Sequence, residues 1–272
     1  MIIPLSFIHF TVALLYAIGA WARGRIGDQS SSSGTGMPAY VWAFALVTLG
    51  LHAFALTRAI ATPNGIDISI GNATSLVAFL CVLVAWISGL MRALPIFSSI
   101  VLGCAAVAAL APIFFHSDYL YAYATHSWAA FHIAVAISAY ALFFVAAMQA
   151  LAMLGLEKRL HRGVTSDPQK TPPLLTLERY MFRLITLAFI LLTLTLITGV
   201  FFTEEVFGKP FELNHKTSLS IIAWFIFGTL LVGRWRFGWR GRKALYWILA
   251  GTAALLLAYL GYKFIIEVIL HR

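Results

Sequence analysis

The chain is a succession of long apolar runs separated by short polar breaks. The runs fall near 2–21, 38–60, 73–91, 95–113, 127–154, 180–202, 217–232 and 244–266. A helix rises 1.5 Å per residue, so roughly 20 apolar residues cross the ~30 Å hydrocarbon layer of a bilayer. The pattern predicts an all-α fold, a polytopic transmembrane helix bundle of about eight helices. Most breaks are short, which makes neighbouring helices antiparallel and 1–272 a single bundle domain. The small residues Ala129, Ala136 and Ala139 form a stripe along the fifth run, of the kind that lets membrane helices approach closely.

Three breaks have some character. Residues 27–36 (GDQSSSSGTG) make a flexible polar linker to which no function is given. Residues 155–179 carry prolines and mixed charge and read as a loop with an amphipathic lead-in to the sixth helix. Residues 203–216 are short and polar, with Phe207 and Phe211 as interfacial anchors.

Composition agrees with a lipid environment: 61% of residues are hydrophobic and 11% charged. The net charge of +9 would suit nucleic acid, but its distribution does not. Arg23, Arg25, Arg92, Lys158, Arg159, Arg162, Lys170, Arg179, Arg234, Arg236, Arg240, Arg242 and Lys243 all fall in alternate loops. The positive-inside rule puts those loops in the cytoplasm and both termini on the non-cytoplasmic side. The opposite loops hold Arg58, Lys209 and Lys216, offset by Asp67, Asp118, Glu204, Glu205 and Glu212. The first run lacks the basic flank of a cleaved signal peptide and reads as a retained anchor. Cys81 and Cys104 lie within apolar runs as packing residues, and no CxxCH motif is present for covalent haem attachment.

Ionisable residues are costly at the bilayer centre, and none of the ten acidic residues sits there. That weakens a reading as a proton-coupled pump, and no broken helix marks a transporter's central site. No HExxH, phosphate loop or GxSxG elbow supports hydrolysis. Histidine remains. His9, His52, His116, His126, His132, His215 and His271 fall in the outer half by this topology, leaving only His161 in the cytoplasm. A neutral imidazole can lie within a membrane, donate one hydrogen bond and offer its other nitrogen to a metal. His52 and His132 stand out because each is within a helix. For either, a hydrogen-bonded structural role satisfies the physics equally well.

Several motifs carry a family resemblance. WAAFHIAVAISAYALFFVAAMQA at 128–150, LER at 177–179, Thr198-Gly199, HKTSLSIIAWFIF at 215–227 and GWRGRKA at 238–244 together resemble the cytochrome c assembly (CcsA, ResC and HemX-like) membrane proteins. The likeness runs over nearly the whole chain and is nearest to the YpjD-type inner-membrane branch. It implies a multi-pass protein of the bacterial inner (plasma) membrane and a haem b site near the outer face. His132 matches the outer-face histidine that begins the fifth helix, His52 a membrane histidine, and His271 the second outer-face histidine at an offset of about one residue. The resemblance thus implies His132 and His52 as iron ligands, with His271 and Trp128 as further cofactor-binding residues. Arg58 and Lys216 are the cations available to haem propionates.

The chain also departs from that pattern. The tryptophan-rich WWD segment of the cytochrome-assembling members is absent, its end reading Leu213-Asn214-His215-Lys216-Thr217, and no tryptophan lies between Trp128 and Trp224. Haem-lyase activity is therefore not expected. Two functions stay open: a haem-handling membrane protein that binds haem b reversibly, and a cofactor-free scaffold or regulatory subunit that keeps the family fold. The expected partners are membrane lipids, then haem and another membrane or cytoplasmic protein, and not nucleic acid.

Overall fold

The computed structural model describes residues 4–30, 39–62, 65–90, 98–115, 127–161, 174–207 and 215–261. Among these, the helices are α1 (Leu5–Ser30), α2 (Ala39–Ile60), α3 (Ile70–Leu90), α4 (Ser98–Ala108), α5 (Ala111–Phe114), α6 (Ser127–His161), α7 (Leu174–Phe207), α8 (His215–Phe237) and α9 (Gly241–Leu256), the last followed by a π turn, Leu257–Gly261. The protein is an all-α polytopic bundle. Six of these helices are long and apolar enough to cross a membrane, and the shorter apolar stretch Ser99–Phe114 adds to them.

The outside of the bundle shows the same solvent. On α1, Phe7, Phe10, Leu14, Ile18 and Trp21 face outward while Val12, Ala13 and Tyr16 are buried. On α7, Leu187, Ile190, Ile197 and Phe201 are likewise outward. Such a continuous apolar exterior is untenable in water and suits contact with acyl chains.

Two helices differ from the runs expected of them. The run at 95–113 is interrupted after Ala108, and α5 restarts at Ala111 with a proline in its first turn. Pro112 has no N–H for the Ala108 carbonyl, and its ring crowds that carbonyl, so the helix cannot continue straight through. The run at 244–266 is α-helical to Leu256 and then widens into the π turn. One element had not been expected: between α2 and α3 lies a two-residue antiparallel pair, β1 (Ala61–Thr62) and β2 (Gly65–Ile66), with Thr62 opposite Gly65. It leads into a capped start of α3, where Asp67 Oδ1 accepts from Ser69 N at 2.8 Å and Asn72 Nδ2 donates to the Asp67 carbonyl at 3.3 Å.

α6 is the central helix, packing on α7, α3 and α9, while α1 packs on α2 and α4 and α8 on α9 and α7. Small residues allow this. Ala129, Ala139, Ala141, Ala146, Ala147 and Ala150 are all buried along α6, and Cys81 Sγ of α3 reaches the Ala141 carbonyl at 3.5 Å. The Phe143 ring of α6 stacks on Phe227 of α8 at 3.9 Å between centroids. Gly251 of α9 closes over this stack, since a Cβ there would meet the Phe227 ring at 2.7 Å. At the other end of α8, Arg234 pairs with Glu178 of α7 at 2.6 Å, donates to the Trp239 carbonyl at 3.1 Å and lies over the Phe182 ring. Gln149 donates to the Leu177 carbonyl at 2.7 Å, and Arg242 pairs with Glu157 at 2.9 Å. The LER and GWRGRKA motifs thus meet in a corner where α6, α7, α8 and α9 are tied together.

The three-helix stack gives a stability prediction. Phe227→Ala, which leaves a void facing Phe143 and Gly251, is expected to cost about 3–5 kcal/mol. Gly251→Leu, which overfills the same point, is expected to cost about 1–3 kcal/mol. Thermal unfolding of the purified protein in detergent measures both.

Candidate cofactor site

His52 and His132 sit in different surroundings. His52 is completely buried. Its Nδ1 lies 2.9 Å from the Tyr16 hydroxyl of α1, and its Nε2 lies 2.9 Å from Ser75 Oγ of α3. The rings of Tyr16 and Phe79 meet it edge-on. Both ring nitrogens are therefore engaged, and the imidazole joins three helices. Thr48, one turn earlier on α2, and His9 of α1 are buried in the same group of helices. Metal coordination by His52 would require one of its two hydrogen bonds to break.

His132 lies near the start of α6 and is partly buried. Its Nδ1 is 2.9 Å from Thr198 Oγ1 of α7, and the neighbouring Gly199 brings the α7 backbone so close that a Cβ there would stand 3.3 Å from His132 Cε1. Lys216, in the first turn of α8, is near enough to act electrostatically on this imidazole, and its Nζ lies 5.5 Å from the centre of the Tyr259 ring. Two turns beyond His132 on α6, Tyr140 lies near Ser220 of α8 and packs against Tyr259 at 5.7 Å. Trp224 Nε1 donates to Thr193 Oγ1 of α7 at 2.9 Å. A polar lining thus runs between α6, α7, α8 and the π turn, built from His132, Thr198, Tyr140, Lys216, Ser220 and Tyr259.

The other sequence candidates are dispersed. Trp128 is 64% exposed on the outside of α6, edge-on to Phe131, in the position of an interfacial anchor. Arg58 is exposed in the last turn of α2, on a different helix from the His132 lining. His271 lies outside the described residues. The structure thus brings Lys216 to His132 and does not bring His52 there. Among the described residues no group of three or more His, Cys, Asp or Glu side chains is placed to hold a metal ion.

Sequence reasoning passed over Ser220 and Tyr259 as site residues, and gave Thr198 and Tyr140 no contact. A signal was present for part of this. Residues 132 and 140 on α6, and 216, 220 and 224 on α8, recur at multiples of four and so share one helix face.

Comparison with known proteins bears on what such a lining is for. The family model described as cytochrome C assembly protein matches residues 40–270. The chain belongs to the cytochrome c assembly protein family. Inner membrane protein YpjD of Escherichia coli is 32% identical over 231 residues, covering 83% of this chain and 86% of that protein. An uncharacterized 28.8 kDa protein of Azospirillum brasilense is 34% identical over 144 residues, 53% of each chain. Cytochrome c biogenesis protein CcsA of Gloeobacter violaceus is 34% identical over 92 residues, 34% of this chain and 27% of that protein. No solved structure matches. The family and the apolar helices together make this a multi-pass inner-membrane protein, and the family supports a haem-related role in cytochrome c maturation.

The geometry of His52 predicts the effect of removing it. His52→Leu would leave the buried hydroxyls of Tyr16 and Ser75 without their imidazole partner, a loss of about 1–3 kcal/mol for each orphaned group. The expected outcome is a lowered unfolding temperature in detergent, with a smaller loss in His52→Gln, which keeps a donor and an acceptor.

Proposed function

We propose that this protein handles haem during cytochrome c maturation, binding haem b reversibly near the outer face of the membrane with His132 as an axial ligand. The observation that carries this is the His132 imidazole, held through Nδ1 by Thr198 at the end of a polar lining that also contains Lys216. Those residues fit the group. A neutral imidazole nitrogen is a good ligand for haem iron, and a lysine ammonium pairs with a propionate carboxylate. Bound haem supplies an iron that accepts a nitrogen ligand and two carboxylates that accept cations. His132 would hold the iron, and Lys216 would pair with a propionate. His52 has both nitrogens engaged and serves the bundle as a hydrogen-bonded tie. His271 remains the candidate second ligand on the sequence likeness, and Arg58 and Trp128 remain candidates on the same ground.

Detergent-purified protein titrated with haemin is expected to develop a Soret band, and His132→Ala to weaken its affinity at least tenfold. Lys216→Ala is expected to have a smaller effect. Protein that stays colourless with added haemin contradicts the reading. The outer-face assignment rests on the basic loops and has its own measurement. A periplasm-active phosphatase fused after Arg272 is expected to be active, and the same fusion within 162–173 inactive; the reverse pattern inverts the topology.

The second reading is a scaffold without cofactor. It is favoured by Arg236, Arg240, Arg242 and Lys243, which are exposed around the α8–α9 corner. Loss of a crosslinked partner on neutralising Arg236 and Arg240, in protein that binds no haemin, would select it.

A further inference from the structure

We propose that the α8–α9 corner binds the headgroup of an anionic glycerophospholipid, with Arg236, Arg240 and Lys243 meeting its phosphate and the outward face of α8 lying along its acyl chains. The site is at the opposite end of α8 from Lys216 and makes no use of the His132 lining.

The charges at this corner do not balance. Five cations lie between 234 and 243, and two of them meet a carboxylate, Arg234 with Glu178 at 2.6 Å and Arg242 with Glu157 at 2.9 Å. Arg236, Arg240 and Lys243 have no carboxylate partner among the described residues, and all three are exposed. Two of them are held over aromatic faces instead. The Arg236 guanidinium carbon lies 5.6 Å from the centre of the Trp235 ring, and Lys243 Nζ lies 3.7 Å from that of Trp239. Trp239 is itself fixed: its indole lies against Gly233, where a Cβ would meet it at 2.5 Å, and packs on Trp247. A ring face orients a cation without neutralising it, so the positive charge stays available to an outside anion. Arg240 at the N-cap of α9 and Lys243 in its first turn also stand at the end of a helix where the macrodipole disfavours cations. A phosphate at the corner relieves both imbalances.

The rest of the surface says which anion. Ile222, Phe225, Val232 and Trp235 are all exposed on α8. Their spacings of three and seven residues put them on one face, and Arg236 follows Val232 at four. The apolar stripe therefore runs directly up to the unbalanced cations. Trp235 and Phe237, 81% and 75% exposed, mark the level of the headgroups, where aromatic side chains collect. An amphiphile with an apolar tail and an anionic head matches this surface from end to end, whereas an acidic protein matches only its last turn. Guanidinium groups pair with phosphate through two parallel hydrogen bonds, and a zwitterionic head would bring a further cation to a corner already in surplus.

The test uses full-length protein in a nonionic detergent, titrated with phosphatidylglycerol or with phosphatidylcholine of the same acyl chains, and counts bound lipid by native mass spectrometry. A basic side chain near anionic headgroups is worth about fivefold in affinity, so the three together are expected to favour phosphatidylglycerol by at least about tenfold. The preference is expected to vanish in R236Q/R240Q/K243Q and to persist in R236K/R240K, which keeps the charges. Because the three side chains are exposed and outside the ion pairs, the neutralised variant is expected to unfold at the wild-type temperature. Equal retention of the two lipids by the wild type overturns the inference, as does an unchanged preference in R236Q/R240Q/K243Q. Displacement of phosphatidylglycerol by an equal concentration of inorganic phosphate also overturns it, since the acyl chains would then contribute nothing. Loss of a crosslinked protein from a variant whose lipid preference is unchanged selects the scaffold reading in its place.

Discussion

A hydroxyl, amide or imidazole inside hydrocarbon has no water to bond with, so each must find its partner within the protein or cost several kcal/mol. Much of this bundle can be read from how that demand is met. The first solution is local. Thr48, Thr74, Thr186, Thr193, Thr195 and Thr198 each return their proton to the carbonyl one turn back, which satisfies the hydroxyl without involving another helix. The second solution reaches across. Tyr16 and Ser75 meet at His52, Thr198 meets His132, Thr193 accepts from Trp224, and Gln149 donates to Leu177. Each of these pairs joins two helices at one point, so the polar groups fix the register that apolar packing against lipid-like neighbours leaves loose.

The two solutions combine differently at the two imidazoles. At His52, hydroxyls from α1 and α3 engage both nitrogens and the ring is consumed by the fold. At His132, Nδ1 meets the Thr198 hydroxyl of α7, which also lies within hydrogen-bond reach of its own helix's carbonyls. Chemically identical side chains thus sit in different hydrogen-bonded surroundings.

The apolar runs carried the architecture, because a run of about 20 apolar residues has few alternatives in a membrane protein. Among the described residues each of the eight runs contains a helix, and the breaks at Pro112 and after Leu256 were the points where the periodic signal said least. Pro112 was visible and its consequence could have been drawn from the missing N–H alone. The β1–β2 pair had a weaker signal: its two connecting positions are Pro63 and Asn64, turn-forming residues that a chain dominated by helices does not make stand out. The motifs at 177–179 and 238–244 were recognised as family features without a physical role; their contact through Glu178 and Arg234 joins residues 56 apart in sequence, which helical periodicity cannot show. The same limit applies to the contact of Thr198 with His132 and to those of Tyr16 and Ser75 with His52. Which hydroxyl meets an imidazole depends on helix pairing and rotation, and a hydropathy pattern encodes neither.

The absence of tryptophan between Trp128 and Trp224 gives the haem-handling reading its physical character. A flat apolar macrocycle gains most of its affinity from contact with large aromatic faces, and the lining at His132 offers Tyr140 and Tyr259, which already pack on each other and on Ser220 or Lys216. Retention would then depend on one coordinating nitrogen and one ammonium at a helix end, where the charge is exposed and screened. Coordination by imidazole is directional but exchangeable, and an exposed ion pair adds little. Such a site favours release over retention. Holding a porphyrin still long enough to form a covalent thioether needs the opposite balance, so the lining proposed for haem would be suited to passing it on, with α8 as the rigid element that carries Lys216 at one end and the Arg234 corner at the other.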